Sequence, residues 1–269
     1  MNSQISILGT GWLGLPLAEA LISKGYLIKC STTTSERLEQ LKAADLQPYM
    51  VQLTELGVSG NIEGFLGGSD TLIINIPPGL RKHPNSNFVL KIKQLLPYLE
   101  NSTIQKLIFI SSTSVFKDEL HFPIITQKSQ PNGTSITAKQ LIAVEELLKN
   151  LSPIRTSILR FGGLYDERRH PATMIAKRGI ISNPLAPVNL IHRIDCIGII
   201  TQILELEKYN LRLNAAAPEH PTKKDYYQRI CKEIGLPLAS AAENEPSVGK
   251  IIDSSFLEKE LQYTFKMKL

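Results

Sequence analysis

Eight residues near the start of the chain, Ile7-Leu8-Gly9-Thr10-Gly11-Trp12-Leu13-Gly14, carry the pattern G-x-G-x-x-G. Alone, the pattern is common; its surroundings make it specific. A short apolar run, Ile5–Leu8, precedes it, and an amphipathic stretch opens directly behind it. Strand, glycine turn and helix in that order form the phosphate-binding turn of dinucleotide-binding domains. Gly9 permits the tight turn, Gly11 lets a pyrophosphate approach the backbone, and Gly14 lets helix and strand pack closely. Thr10, Trp12 and Leu13 complete the turn, and the helix N-terminus offers amides and partial positive charge to phosphates. The turn points to a nicotinamide dinucleotide.

The end of the second strand usually selects the form of that cofactor. An Asp or Glu there bonds the adenine ribose hydroxyls of NAD. This chain has Cys30-Ser31-Thr32-Thr33-Thr34-Ser35-Glu36-Arg37, with no acid at the strand end. The hydroxyls of Ser31 and Thr32 with the guanidinium of Arg37 suit a 2′-phosphate, so NADP is expected, with NAD as the alternative. Ser35 also reads as a helix N-cap, and Arg37 also reads as a solvated surface charge.

The elements that position these residues follow from periodicity. Short apolar runs alternate with longer amphipathic stretches, the pattern of a mainly parallel sheet covered by helices. Strands are expected at Ile5–Leu8, Tyr26–Cys30, Met50–Leu53, Thr71–Ile76, Lys106–Ser111, Thr156–Arg160 and Leu211–Ala215. Helices are expected at Leu13–Lys24, Ser35–Ala43, Phe88–Leu99, Thr137–Asn150, Ile194–Glu207, Lys223–Ile234 and Ser254–Leu261. Pro16 is tolerated because first-turn amides lack an intrahelical partner, and Gly25 ends that helix. Asp195 reads as an N-cap. Asn75, Pro77 and Pro78 close the strand expected to pass the cofactor, so Asn75 and Pro77 join the candidate binding residues.

Composition narrows the function classes. The 269 residues are 42% hydrophobic and 20% charged, ordinary for a folded globular chain. The net charge of +5 is spread without a basic arm, so nucleic acid is not an expected partner. No apolar run approaches the roughly 20 residues that cross a bilayer. The start lacks a charged leader, and no secretory signal is expected. Three distant cysteines, Cys30, Cys196 and Cys231, form neither a zinc spacing nor a disulfide framework. Buried thiols in a reducing cytoplasm are expected.

Further segments resemble the extended short-chain dehydrogenases/reductases, the NAD(P)-dependent epimerase/dehydratase-like family. Leu107-Ile108-Phe109-Ile110-Ser111-Ser112-Thr113-Ser114-Val115-Phe116 resembles its fourth-strand signature, where a Ser-rich end precedes Val-Tyr-Gly. Ile158-Leu159-Arg160-Phe161-Gly162-Gly163-Leu164-Tyr165 is similar to the turn "LRPGGIYG", and Asn189–Asp195 to "N-x-I-H-V-D-D". Leu213-Asn214-Ala215-Ala216 resembles the strand that follows. The order and spacing agree over nearly the whole chain.

The resemblance implies a Ser/Thr at Ser112 bonding the substrate oxygen, and a Y-x-x-x-K pair. The chain departs from that pair: Ser135-Ile136-Thr137-Ala138-Lys139 has serine where the family has its tyrosine acid. A serine hydroxyl is far too weak an acid to replace a phenol. Lys139 still suits the nicotinamide ribose, and also reads as a surface lysine. Ser112 also reads as a strand-end hydroxyl bonding local backbone. His192 reads as a structural entry to its helix and Tyr165 as a packing residue. Asp166, Arg168 and Arg169 are either a substrate-anion site or a solvated loop. Gly11–Ala18 also resembles the "GYVGLPLA" turn of UDP-sugar dehydrogenases. Those need a later catalytic cysteine, whereas Cys196 and Cys231 fall inside expected helices.

The expected architecture is an α/β Rossmann doubly wound parallel sheet with a small C-terminal substrate lobe. The core is expected at 1–160 with about 187–217, and the lobe at 161–186 and 218–269. The expected function is an atypical reductase, epimerase or dehydratase acting on a small molecule such as a nucleotide sugar, as a cytoplasmic protein and a homodimer. The missing tyrosine keeps open a non-catalytic, NADP-binding sensor or regulator. Ser112, Ser135 and Lys139 are the catalytic candidates.

Overall fold

The computed structural model describes residues 3–44, 46–242 and 246–269. In chain order the first elements are β1 (Gln4–Leu8), α1 (Gly14–Ile22), β2 (Leu27–Thr32), α2 (Glu36–Lys42), β3 (Gln47–Leu53) and β4 (Val58–Gly60). Next come α3 (Ile62–Leu66), β5 (Thr71–Ile74), α4 (Phe88–Glu100), β6 (Lys106–Ser112), β7 (Ile124–Ile125), α5 (Ile136–Lys149) and β8 (Arg155–Phe161). Then follow β9 (Gly163–Tyr165), α6 (Pro171–Arg178), β10 (Ile180–Ile181), β11 (Leu190–His192) and α7 (Arg193–Glu205). The last are β12 (Arg212–Ala215), α8 (Lys223–Glu233), β13 (Ser240–Ala241), β14 (Ile251–Ile252) and α9 (Ser255–Leu261).

The main sheet has the order β12-β8-β6-β5-β1-β2-β3-β4. β1 pairs in parallel with β2 on one side and β5 on the other. β2–β3 and β5–β6 continue the parallel pairing, and β4 closes the edge antiparallel to β3. The chain thus winds outward from β1 in both directions, the Rossmann arrangement. The crevice of such a sheet lies over the carboxyl ends where the order reverses. β5 is buried along its whole length, as a central parallel strand must be.

The chain divides into two compact units. The first comprises Met1–Ser112, Ser135–Leu159 and Ile203–Arg212. Its core joins Ile5 and Ile7 of β1, Leu17 and Leu21 of α1, Ile73 of β5 and Ile108 of β6, all fully buried. The second comprises Thr113–Thr134, Arg160–Gln202 and Leu213–Leu269. Its core gathers Tyr165, Ala172, Ile181, Leu190, Tyr226, Tyr227 and Cys231. The three cysteines are free and buried. Among the described residues no helix is long and apolar enough to cross a membrane.

Two expected caps are corrected. Asp195 does not cap α7: it lies within the first turn. Its carboxylate instead accepts bonds from Tyr263 Oη at 2.8 Å and from the Lys266 and Met267 amides at 2.7 and 3.2 Å. A buried carboxylate gathers the donors nearest to it, here from the C-terminal segment. Ser35 occupies the N-cap position of α2 with helical backbone angles, and its side chain makes no cap bond. The expected strand Thr71–Ile76 ends at Ile74, although the Asn75 amide still donates to Leu8 of β1.

Candidate functional site

β1 delivers the glycine turn, and both neighbouring strands pin it. Gly9 has φ of 103°, a conformation that favours glycine. A Cβ there would lie 2.7 Å from the Asn75 carbonyl. The Gly9 amide donates to Ser31 Oγ at 2.8 Å, and Thr10 Oγ1 donates to the Ser31 carbonyl at 2.6 Å. From the β5 side, Asn75 Nδ2 donates to the Gly9 carbonyl at 2.9 Å, and the Asn75 amide to Leu8 at 2.8 Å. A Cβ on Gly14 would overlap the Gly9 carbonyl oxygen, so only glycine lets α1 start so close to the turn. Gly11 differs: nothing lies within 4 Å of a Cβ placed there, and its side of the turn is open. α1 begins at Gly14, and Leu13 at its N-cap position makes no side-chain cap bond.

A cavity of about 420 Å³ adjoins this turn. Gly9, Thr10 and Gly11 form one wall, and Ser31–Thr34 with Arg37 form the next. Val51–Leu53 from the end of β3, Asn75–Pro77 beyond β5, and Phe88 and Lys91 of α4 complete it. Arg37 is half-buried, and its Nη2 donates to the Thr10 carbonyl at 2.9 Å. It is tied to the glycine turn rather than set free on the surface. The lining holds two cations, Arg37 and Lys91, and no carboxylate. Such a wall favours an anionic ligand.

The residues singled out in the sequence are therefore brought together in part. Gly9, Thr10, Gly11, Ser31, Thr32, Arg37, Asn75 and Pro77 line the cavity, whereas Trp12, Leu13 and Gly14, where α1 starts, are not among its lining residues. Lys91, Phe88 and the β3 end were not singled out. Their own segments carry no motif, and only the strand order places α4 and β3 beside the turn.

The three catalytic candidates lie outside that cavity. Ser112 is the half-buried last residue of β6. The preceding Ser111 donates to the buried Glu145 of α5 at 2.6 Å, tying the β6 end to that helix. Ser135 is the N-cap of α5: its Oγ accepts the Ala138 amide at 3.1 Å. Lys139 stands exposed one turn further on.

In the second unit, the residues that invite a chemical reading are bound to one another. His192 is 3% exposed, and its Nδ1 accepts the Ile194 amide at 3.2 Å, fastening the start of α7. Its Nε2 lies 3.3 Å from a Glu167 carboxylate oxygen. Tyr165 meets the His170 and His192 rings edge-on, with centroids 5.2 and 5.0 Å away. Burial pushes its phenol up to about 12, far from the range of an acid catalyst at neutral pH. Asp166 accepts the Arg168 and Arg169 amides at 3.0 and 2.7 Å and pairs with Arg193 at 2.9 Å.

No family model matches the chain. Protein YeeZ of Escherichia coli strain K12 is 30% identical over 266 residues, covering 98% of this chain and 96% of that protein. Among solved structures, UDP-glucuronic acid 4-epimerase of Bacillus cereus in complex with NAD is similar, with a TM-score of 0.78 at 19% identity. That match covers 98% of this chain and 92% of the epimerase. A short-chain dehydrogenase/reductase superfamily protein of Agrobacterium tumefaciens with bound NAD gives 0.78 at 14% identity, covering 98% and 93%. A functionally unknown conserved protein of Silicibacter pomeroyi gives 0.75 at 16%, covering 99% and 94%. The fold is that of the extended short-chain dehydrogenases/reductases.

Proposed function

The chain belongs to one family with Escherichia coli protein YeeZ, and on that premise we propose that it is an NADP-binding, epimerase- or reductase-like member of the extended short-chain dehydrogenases/reductases. One observation carries the reading: a glycine turn pinned on both sides and open at Gly11, beside a cavity with two cations and no acid. Open backbone at Gly11 and the positive end of α1 suit a pyrophosphate, although within the first turn the Leu15 amide donates to the Gly11 carbonyl at 3.1 Å and Pro16 has no N–H. The absence of a carboxylate among the lining residues, with Arg37 fixed to Thr10, favours a 2′-phosphate over free ribose hydroxyls. When bound, the nicotinamide supplies hydride chemistry; the chain's part is to hold and orient it. In this reading Lys139 holds the nicotinamide ribose and Ser112 orients a substrate oxygen. The solved epimerase with its bound NAD makes a nucleotide sugar the first substrate class to test.

A second reading is a dinucleotide-binding regulator without turnover. Ser135 favours it: the hydroxyl at the acid's position caps α5, and no phenol replaces it there.

Calorimetric titration with NADP⁺ and NAD⁺, alongside Arg37→Ala, tests the first reading. NADP⁺ should bind more tightly than NAD⁺, and Arg37→Ala should weaken NADP⁺ by about 2 kcal/mol, the scale of a charge-assisted hydrogen bond. Binding of neither dinucleotide refutes it. Turnover with any compound in a panel of nucleotide sugars and carbonyl compounds removes the regulator reading.

A further inference from the structure

We infer that Lys91 is the second arm of a two-cation clamp that, with Arg37, recognises the 2′-phosphate of the dinucleotide. The inference rests on the NADP reading above and adds a specificity residue from another element. Arg37 comes from α2 and Lys91 from the first turn of α4, yet both line the one cavity beside the glycine turn. Asn87 fixes that first turn by capping α4, its Oδ1 accepting the Leu90 amide at 3.0 Å.

The electrostatics of the cavity call for an anion. Among the described residues, the Lys91 ammonium has neither a hydrogen-bond nor an ion-pair partner, although the residue is half-buried. The nearby Glu55 does not answer it: its Oε1 accepts the Asn87 amide at 2.6 Å, and it does not line the cavity. Two other lysines of the same unit that are not exposed, Lys29 and Lys106, are spent internally. Lys106 pairs with Glu207 at 2.7 Å, and Lys29 donates to the Gly64 carbonyl at 2.7 Å. Arg37 is bonded to a carbonyl, which leaves its charge unneutralised and most of its five donors available. Two like charges on one cavity repel unless an anion sits with them.

In the proposed reading the pyrophosphate does not call for both cations, because the open backbone at Gly11 and the positive end of α1 would serve it. NAD carries no further negative charge, whereas a phosphate monoester adds about −1.5 to −2 near neutral pH. That charge matches two cations. The division of labour is chemically sensible: a planar guanidinium binds phosphate oxygens in a fixed geometry, and an ammonium acts as an adaptable point charge.

The test is calorimetric titration of the full chain and its Lys91→Gln and Lys91→Arg variants with NADP⁺ and NAD⁺. Lys91→Gln should weaken NADP⁺ binding about tenfold or more, the scale of one charge-assisted bond, and leave NAD⁺ unchanged. Lys91→Arg should retain most of the NADP⁺ affinity, and the gap between Lys and Gln should narrow as salt rises. Unchanged NADP⁺ affinity in Lys91→Gln, or an equal loss for both dinucleotides, overturns the clamp while leaving the cofactor reading in place. Failure of the unaltered chain to bind either dinucleotide overturns the cofactor reading, and the clamp with it.

Discussion

In the first unit Arg37 and Lys91 line a cavity that has no carboxylate among its walls, whereas in the second the buried Asp166, Asp195 and Lys250 are each met by groups of their own unit. Lys250 illustrates the second pattern: its ammonium lies 2.8 Å from the Phe116 carbonyl and 2.7 Å from Asp118. Both regions are rich in charge, but they use it differently. Where charges are answered within the protein, they fasten segments together. Where cations line an open cavity, with backbone shaped by glycine beside them, the partner we propose is a ligand. Residue type alone does not separate the two cases; partners do.

The sharpest way to break this contrast is at Gly14. A Cβ there overlaps the Gly9 carbonyl oxygen, so Gly14→Ala must displace either the turn or α1. Such overpacking should cost about 3 kcal/mol and abolish NADP⁺ binding, as read by denaturant unfolding and calorimetry. Retained binding would show that the turn is not the ligand's seat.

Asp195→Ala probes the opposite region. It removes an acceptor from the Tyr263 hydroxyl and two backbone amides. A loss of about 3 kcal/mol of unfolding free energy is expected, because donors to a buried charge lose their partner. NADP⁺ affinity in the folded protein should stay the same. A large change in affinity with little change in stability would reverse the roles assigned to the two regions.

Much of the glycine turn was legible in the sequence because its constraints are local. Gly9, Gly11 and Gly14 act within a few residues of one another, and the missing acid after β2 is visible at once. Long strands and helices were legible for a similar reason, since their periods repeat several times. Strands of two or three residues, such as β10 and β13, are too short to show a period. α6 leaves a fainter signal: Pro171 at its start, Lys177 and Arg178 in its last turn, and Gly179 in a left-handed conformation after it. Lys91 could not be found this way. Its place at the cavity depends on β5 lying beside β1, which is a property of the sheet order.

Ser135→Ala sharpens the account at the departure from the family pattern. Loss of the cap on α5 should lower stability by about 1 kcal/mol, measured by thermal unfolding, with NADP⁺ affinity retained. A smaller effect is expected from pH. Burial, then the charge of His192, lowers the His170 pKa from its ordinary value of 6.5. The folded state therefore favours neutral His170, and its contribution is complete above that value and lost as pH falls below it. The acid limb of a stability–pH curve should be shallower in His170→Gln. An unchanged limb would assign the slope to other groups.

The most direct measurement is the crystal structure of the chain grown with NADP⁺. The account predicts the pyrophosphate over Gly11 at the start of α1, and the 2′-phosphate bonded by Arg37 and Lys91. A dinucleotide bound elsewhere, or none at saturating concentration with the turn unchanged, would contradict it.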